Sequence, residues 1–358
     1  MRLKLIPLIA LALLSITIPA LAQNPHAALS TLPEADTLIY ISPQRILNEA
    51  APRLMSPADL TEMRSTFADL KKSVGIDPSS IEYVVVAMRV NKPATDLSFV
   101  APDLMVVVGG DFSSDSLMTL GQLYLQDKVR VEKYGSKSIT LMKIDPIAAE
   151  AEKTPLLKPY TEVGVVPLTA NSLAFGNLRY LKSAIDAVDG NGRISAASLE
   201  SLLRDPNALI SAAGTPLASF AKSFGMMGLE NTSRESHCDT HFGNFYAAVT
   251  MDGSNFNLRG AMNADNPDTA KIIQGLLWGL MQQGIGAVPD KDAQTMLKAL
   301  KMSARDNEIV VEADIPDKVV AEMLKSVTAP KQTKVQIASP PAPPKPATRR
   351  PVRKKRTH

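Results

Sequence analysis

Two stretches decide the fold: IEYVVVAMRV at residues 81–90 and LMVVVGGDF at residues 104–112. Both are rich in valine and other β-formers, and the middle of each is nearly continuously apolar, as expected of strands covered on both faces. They predict a pair of central strands. On the N-terminal side, Ser56 can cap a helix, Pro57 suits its first position and Asp59 lies three residues after the cap. Leu60, Met63, Phe67, Leu70 and Val74 then recur at three-four spacing on one face, and Gly75 ends the helix. On the C-terminal side, Asp111, Ser113, Ser114 and Asp115 offer caps for a helix through Leu117, Leu120 and Leu123. A hairpin follows, with Gly135-Ser136-Lys137 turning residues 129–134 into 138–144. The order is β-β-α-β-β.

Further along, residues 162–168 and 172–175 predict a hairpin around Ala170-Asn171, and helices are predicted over 178–188, 196–204 and the region 206–224. A second hairpin-helix arrangement starts at Asn244, where residues 245–251 and 256–262 alternate around Asp252-Gly253. Its helix is capped near Asp265 or Asn266, and Ile273, Leu276, Leu277, Leu280 and Met281 are spaced to lie on a sheet. A helix over 291–300, a strand over 308–315 and a short helix from Pro316 complete it. The segments Asp111–Asp115 and Asp265–Asp268 occupy the same place after a hairpin, as in a diverged duplication.

The reading is an α+β protein of mixed, largely antiparallel sheets built from repeated hairpin-helix units. Its expected divisions are a signal peptide at 1–22, an N-terminal α+β domain at 23–224, a loop at 225–243, a C-terminal α+β unit at 244–330 and a disordered Pro/Lys/Arg tail at 331–358.

The N-terminus predicts export. Arg2 and Lys4 precede an apolar run from Leu5 to Ile18, and Pro19 precedes the small-x-small site Ala20-Leu21-Ala22. The run is shorter than the ~20 residues of a spanning helix, and no later stretch matches it, so no transmembrane span is expected in the mature protein. Gln23 rather than cysteine follows the cut, which argues against lipid anchoring there. With Cys238 as the single cysteine, no intrachain disulfide can form despite the oxidising compartment. The expected location is periplasmic or secreted. The segment Leu32-Pro33-Glu34-Ala35-Asp36-Thr37, followed by Leu38-Ile39-Tyr40-Ile41, resembles the opening of a family of exported bacterial proteins carrying a domain of unknown function. That resemblance implies an exported α+β protein and brings no active site with it.

Charge is segregated. All 36 acidic residues fall between 23 and 330, where only 28 of the 39 basic residues lie, so this part carries a formal −8. From Lys331 onward there are nine basic residues, no acid, and prolines at 340, 341, 343, 344, 346 and 351. Such a composition buries no core. Polyproline II spacing would project Arg349, Arg350, Arg353, Lys354, Lys355 and Arg356, and each cation near an anionic surface contributes about 1 kcal/mol. The partner implied is an anionic envelope surface or polymer, not a specific nucleic acid. The competing reading is a solvated or back-folded tail.

For chemistry, the tightest cluster is His237, Cys238, Asp239 and His241, whose imidazoles four apart could hold Zn²⁺ with a thiolate or carboxylate. The flanking Asn231-Thr232-Ser233 and Gly243-Asn244 read as loop, and no glutamate stands beside the first histidine. Asp189–Ile194 resembles the middle of a calcium loop, but the end positions fall on Ala187 and Ser198, leaving a Gly-rich turn between helices. Gly275 and Gly279 form a GxxxG that predicts close packing against a strand or second helix. No phosphate loop or GxSxG elbow occurs. No cofactor is implied. The sequence favours a non-catalytic binding or scaffold protein tethered by its tail over the alternative, a metal-dependent enzyme centred on His237 and His241.

Overall fold

The computed structural model describes residues 28–74, 77–90, 102–125, 129–143, 161–215, 243–287 and 291–328. The signal segment 1–22, the cluster at 237–241 and the tail 331–358 lie outside these residues.

Among the described residues, twelve strands form one sheet, antiparallel at every junction: β1 (Thr37–Ile41), β2 (Ile81–Arg89), β3 (Asp103–Gly110), β4 (Val129–Tyr134), β5 (Lys137–Lys143), β6 (Glu162–Thr169), β7 (Ser172–Gly176), β8 (Ile210–Gly214), β9 (Phe245–Asp252), β10 (Asn255–Asn263), β11 (Lys301–Arg305) and β12 (Glu308–Pro316). Their spatial order is β11-β12-β10-β9-β8-β1-β2-β3-β7-β6-β5-β4. The helices are α1 (Pro57–Val74), α2 (Ser114–Leu125), α3 (Leu178–Val188), α4 (Ala196–Leu202), α5 (Pro267–Ala287), α6 (Lys291–Ala299) and α7 (Asp317–Thr328), with a further helical stretch from Pro43 to Leu54. The α+β class and antiparallel pairing therefore hold, and strands of both hairpin-helix units share the sheet.

The order reads the same way outward from the β8/β1 pair. On one side, β1, β2 and β3 follow in turn, a helix intervenes, and a meander returns to set its last strand, β7, beside β3. On the other, β8, β9 and β10 follow, helices intervene, and the returning β12 lies beside β10. The longer meander of the first half is the chief difference between them. This common winding supports a diverged duplication.

It also corrects one expectation. Residues 210–214, predicted helical, are strand β8, the first strand of the second half. Ala212 and Ala213 favour helix by themselves, so the strand is imposed on this segment from outside. Pro206 and the turn closed by Asp205 accepting from the Asn207 N–H stop the preceding helix, and pairing with both β1 and β9 then decides the conformation.

One face of the central strands is thoroughly buried. Leu38, Tyr83, Val85, Ala87, Met105, Val107, Val166, Ala174, Ile139 and Leu141 pack under Tyr180, Leu181, Ala184 and Ile185 of α3 and Leu199 and Leu202 of α4. On the opposite face, Phe112, just before α2, and Leu117 within it cover Val108 and Leu173. In the second half, α5 packs Ala270, Ile273 and Leu277 near Ile309, Met302 and Ala304. Ala50, Phe256, Val249 and Val320 form another cluster.

The GxxxG expectation fails among the described residues: a Cβ at Gly275 or Gly279 would meet none of them within 4 Å. The helix uses its Ala270-Ile273-Leu277 stripe for packing and turns the glycines away. No described helix is long and apolar enough to cross a membrane. At Asp189–Ile194 the expected turn is present, with Arg193 donating to the Ala187 and Val188 carbonyls at the end of α3 and Ile194 entering the core.

Candidate functional site

At one end of the sheet, Asp103 opens β3 with 1% of its side chain exposed. Antiparallel register sets Arg89, the last residue of β2, directly across from it. The Arg89 Nη2 donates to Oδ2 at 3.0 Å and its Nε at 3.3 Å. From the β7–α3 junction, Arg179 donates through Nη2 and Nε to Oδ1 at 2.8 and 3.1 Å, and Asn177 donates at 2.6 Å. Burial by itself would push the Asp103 carboxyl up, but the hydrogen bonds from Arg179, Asn177 and Arg89 outweigh it and hold the group below the ordinary aspartate range. Arg89 also lies 4.7 Å from the centre of the Tyr180 ring and donates to the Ser183 hydroxyl.

Beside this network is a cavity of about 250 Å³ lined by Glu34, Ala35, Asp36, Arg89, Ile194, Ser195 and Ser198. Much of its polar lining already has work in the fold. Asp36 accepts from the Val90 N–H at 2.6 Å, the Glu34 carbonyl accepts from Tyr180 at 2.9 Å, and Ser195 accepts from the Ser198 N–H at 3.0 Å, capping α4. The arrangement can hold a small polar group.

A second feature is larger. In register across the sheet, Ala247 of β9, Ala212 of β8, Ile39 of β1, Val86 of β2, Val106 of β3, Phe175 of β7 and Val165 of β6 form one row of apolar side chains. Each is only half-buried, whereas Val85, Ala87, Met105 and Ala174 on the reverse face are fully buried. At strand spacing of about 4.8 Å, the row is roughly 29 Å long. Ile41, Met88 and Leu104 extend it on either side, also half-buried. The expectation that β2 and β3 are covered on both faces holds only in part among the described residues: one face is core, and α2 shields part of the other. The stripe Leu60, Met63, Phe67 and Leu70 of α1 is half-buried as well, and no residue of it joins a buried cluster among the described residues.

The structure does not bring the sequence-predicted candidates together with these features, because His237, Cys238, Asp239, His241 and the six tail cations all lie outside the described residues. Among the described residues, no group of three or more His, Cys, Asp or Glu side chains is placed to hold a metal ion. Sequence reasoning missed the Asp103 network and the apolar row. Arg89 and Asp103 at the ends of consecutive strands were a signal for the first. For the second, the unbroken apolar runs left both faces equally eligible for burial.

No family model and no curated protein matches the chain. Among solved structures, crystal form III of TP0453 aligns at 10% identity and a TM-score of 0.43, covering 83% of this chain and 97% of that one. Crystal form I aligns at 12% identity and 0.41, covering 84% and 96%. Likeness at this level transfers no residue and no role.

Proposed function

We propose that the chain is an exported, non-catalytic binding or scaffold protein of the cell envelope or its surroundings, held near a polyanionic surface by its basic tail. The observation that carries the binding role is the half-covered apolar row from Ala247 to Val165, laid on a sheet whose other face is packed core. A broad apolar surface on a rigid support is the usual form of a contact site. The charged network at Asp103 is consistent with this role, since its guanidiniums are bound to a buried carboxylate and brace β2, β3 and α3. The tether rests on the sequence alone: six cations spaced from the folded part by a proline-rich stretch.

The test is co-sedimentation of protein beginning at Gln23, with and without residues 331–358, on isolated cell envelopes at low and high salt. Pelleting of the tailed form alone, reversed by salt, is the expected outcome. If both forms stay in solution, the tether is wrong.

A further inference from the structure

Among the described residues the sheet is open, and its outermost strands, β4 and β11, each have one edge with no strand beside it. We propose that β4 is a self-association edge: two copies of the chain pair antiparallel through β4, centred on Val131, joining their sheets into one.

The register follows from the hairpin. Tyr134 and Lys137 close the two-residue turn Gly135-Ser136, with Gly135 at φ +55°, so Tyr134 and alternate residues Glu132 and Arg130 direct their main-chain groups toward β5. The N–H and C=O groups of Val129, Val131 and Lys133 point outward. An antiparallel partner centred on Val131 matches all three to Lys133, Val131 and Val129 of the second copy. No other register uses them all.

The side chains agree with that pairing. Val131 is 55% exposed and would meet its own copy at the two-fold axis. On the other face of the strand, Arg130 of each copy falls opposite Glu132 of the other, twice. Within one copy Arg130 already bonds Glu162 and Glu132, while Lys182 bonds Glu132, so the new pairs extend an ion network across the seam. Cross-strand pairs of opposite charge stabilise a sheet, and like charges in that position destabilise it.

The far edge behaves in the opposite way. Arg305 and Glu308 close a two-residue turn, which leaves Met302 and Ala304 pointing outward from β11. The self-pairing that joins both of them sets Lys301 against Arg305 of the second copy, twice. Like charge blocks that edge, whereas β4 has no such guard. One sheet thus has one closed end and one that accepts a copy of itself, which yields a closed dimer rather than a fibre.

Sedimentation velocity on the purified protein tests the inference. A contact of one strand belongs to the weak class of interfaces, so the dimer should grow in over about 5–100 μM. V131K opposes two lysines at the axis and should remain monomeric throughout, with an unchanged thermal midpoint showing that the exposed substitution leaves the fold intact. R130E sets glutamate against Glu132 of the other copy and should also lose the dimer, and the exchange R130E/E132R should restore it. A wild-type protein that is monomeric at 100 μM, or a V131K variant that dimerises like wild type, overturns the proposal.

Discussion

Asp103 is the residue whose chemistry is most constrained. Its carboxylate is the shared acceptor for Arg89, Arg179 and Asn177, and removing it leaves two guanidiniums facing each other in a partly buried site. Losing one partner of a buried pair costs about 3–5 kcal/mol. Because the two arginine side chains retain 30% and 59% exposure, Asp103→Asn should cost less, about 2 kcal/mol in urea unfolding. The pH dependence has a definite sign. The folded carboxyl titrates below its unfolded value of about 3.9, so its stabilisation is complete above roughly pH 4 and is lost as pH falls through the folded value. Urea midpoints measured from pH 6 to pH 2 should therefore fall less steeply in Asp103→Asn than in wild type, and parallel curves would show that this carboxylate is not the acid-sensitive group.

At the scale of elements, the informative contrast lies within β2. Val85 and Val86 are adjacent and identical in chemistry, yet Val85 is fully buried and Val86 belongs to the half-exposed row. Val85→Ala should cost about 2 kcal/mol, Val86→Ala less than about 1, and equal losses in chemical denaturation would mean that the row is covered in solution. Much of this level was legible from residue pattern. The α1 cap reads directly from Ser56-Pro57-Ala58-Asp59, and the Ser56 hydroxyl accepts from the Asp59 N–H as expected. The Gly135 hairpin and the Asp252-Gly253 turn follow from their turn residues. What escaped had no local signal. Strand β8 exists because β1 and β9 lie on either side of it, and those pairings join residues far apart in sequence. The half-covered face escaped because an apolar run states that both faces are apolar and says nothing about what arrives to cover them. Of the candidate site, only the residue types were legible. The meeting of Arg179 with Asp103 needs strand β7 beside β3.

At the scale of the molecule, the continuous sheet couples its halves through the β8/β1 pair. At that pair, Gly214 has φ +139°, and a Cβ there would run into the Asp36 carbonyl, so at this position backbone lies against backbone with no room for a side chain. A seam this tight predicts that the two halves unfold together. Trp278, the single tryptophan, reports on the second half from α5, and far-UV circular dichroism reports on both. Their urea transitions should coincide, and an earlier Trp278 transition would show that the halves melt as separate units.

Three long connections share one end of this sheet with Arg89 and Asp103. Residues 91–101, 144–160 and 216–242 all join strand ends on the side of Arg89, Lys143, Glu162, Gly214 and Phe245, whereas the turns Gly135-Ser136, Ala170-Asn171 and Gly253-Ser254 lie at the opposite end. Long connections and two-residue turns therefore differ in what lineage change they tolerate. Lengthening or shortening a long connection leaves the strand registers as they are. One residue added to Gly135-Ser136 slides β4 past β5 and turns Val131 toward the face where Arg130 and Glu132 stand. Descendants of this chain should vary in length over 91–101, 144–160 and 216–242 and hold their count at the two-residue turns.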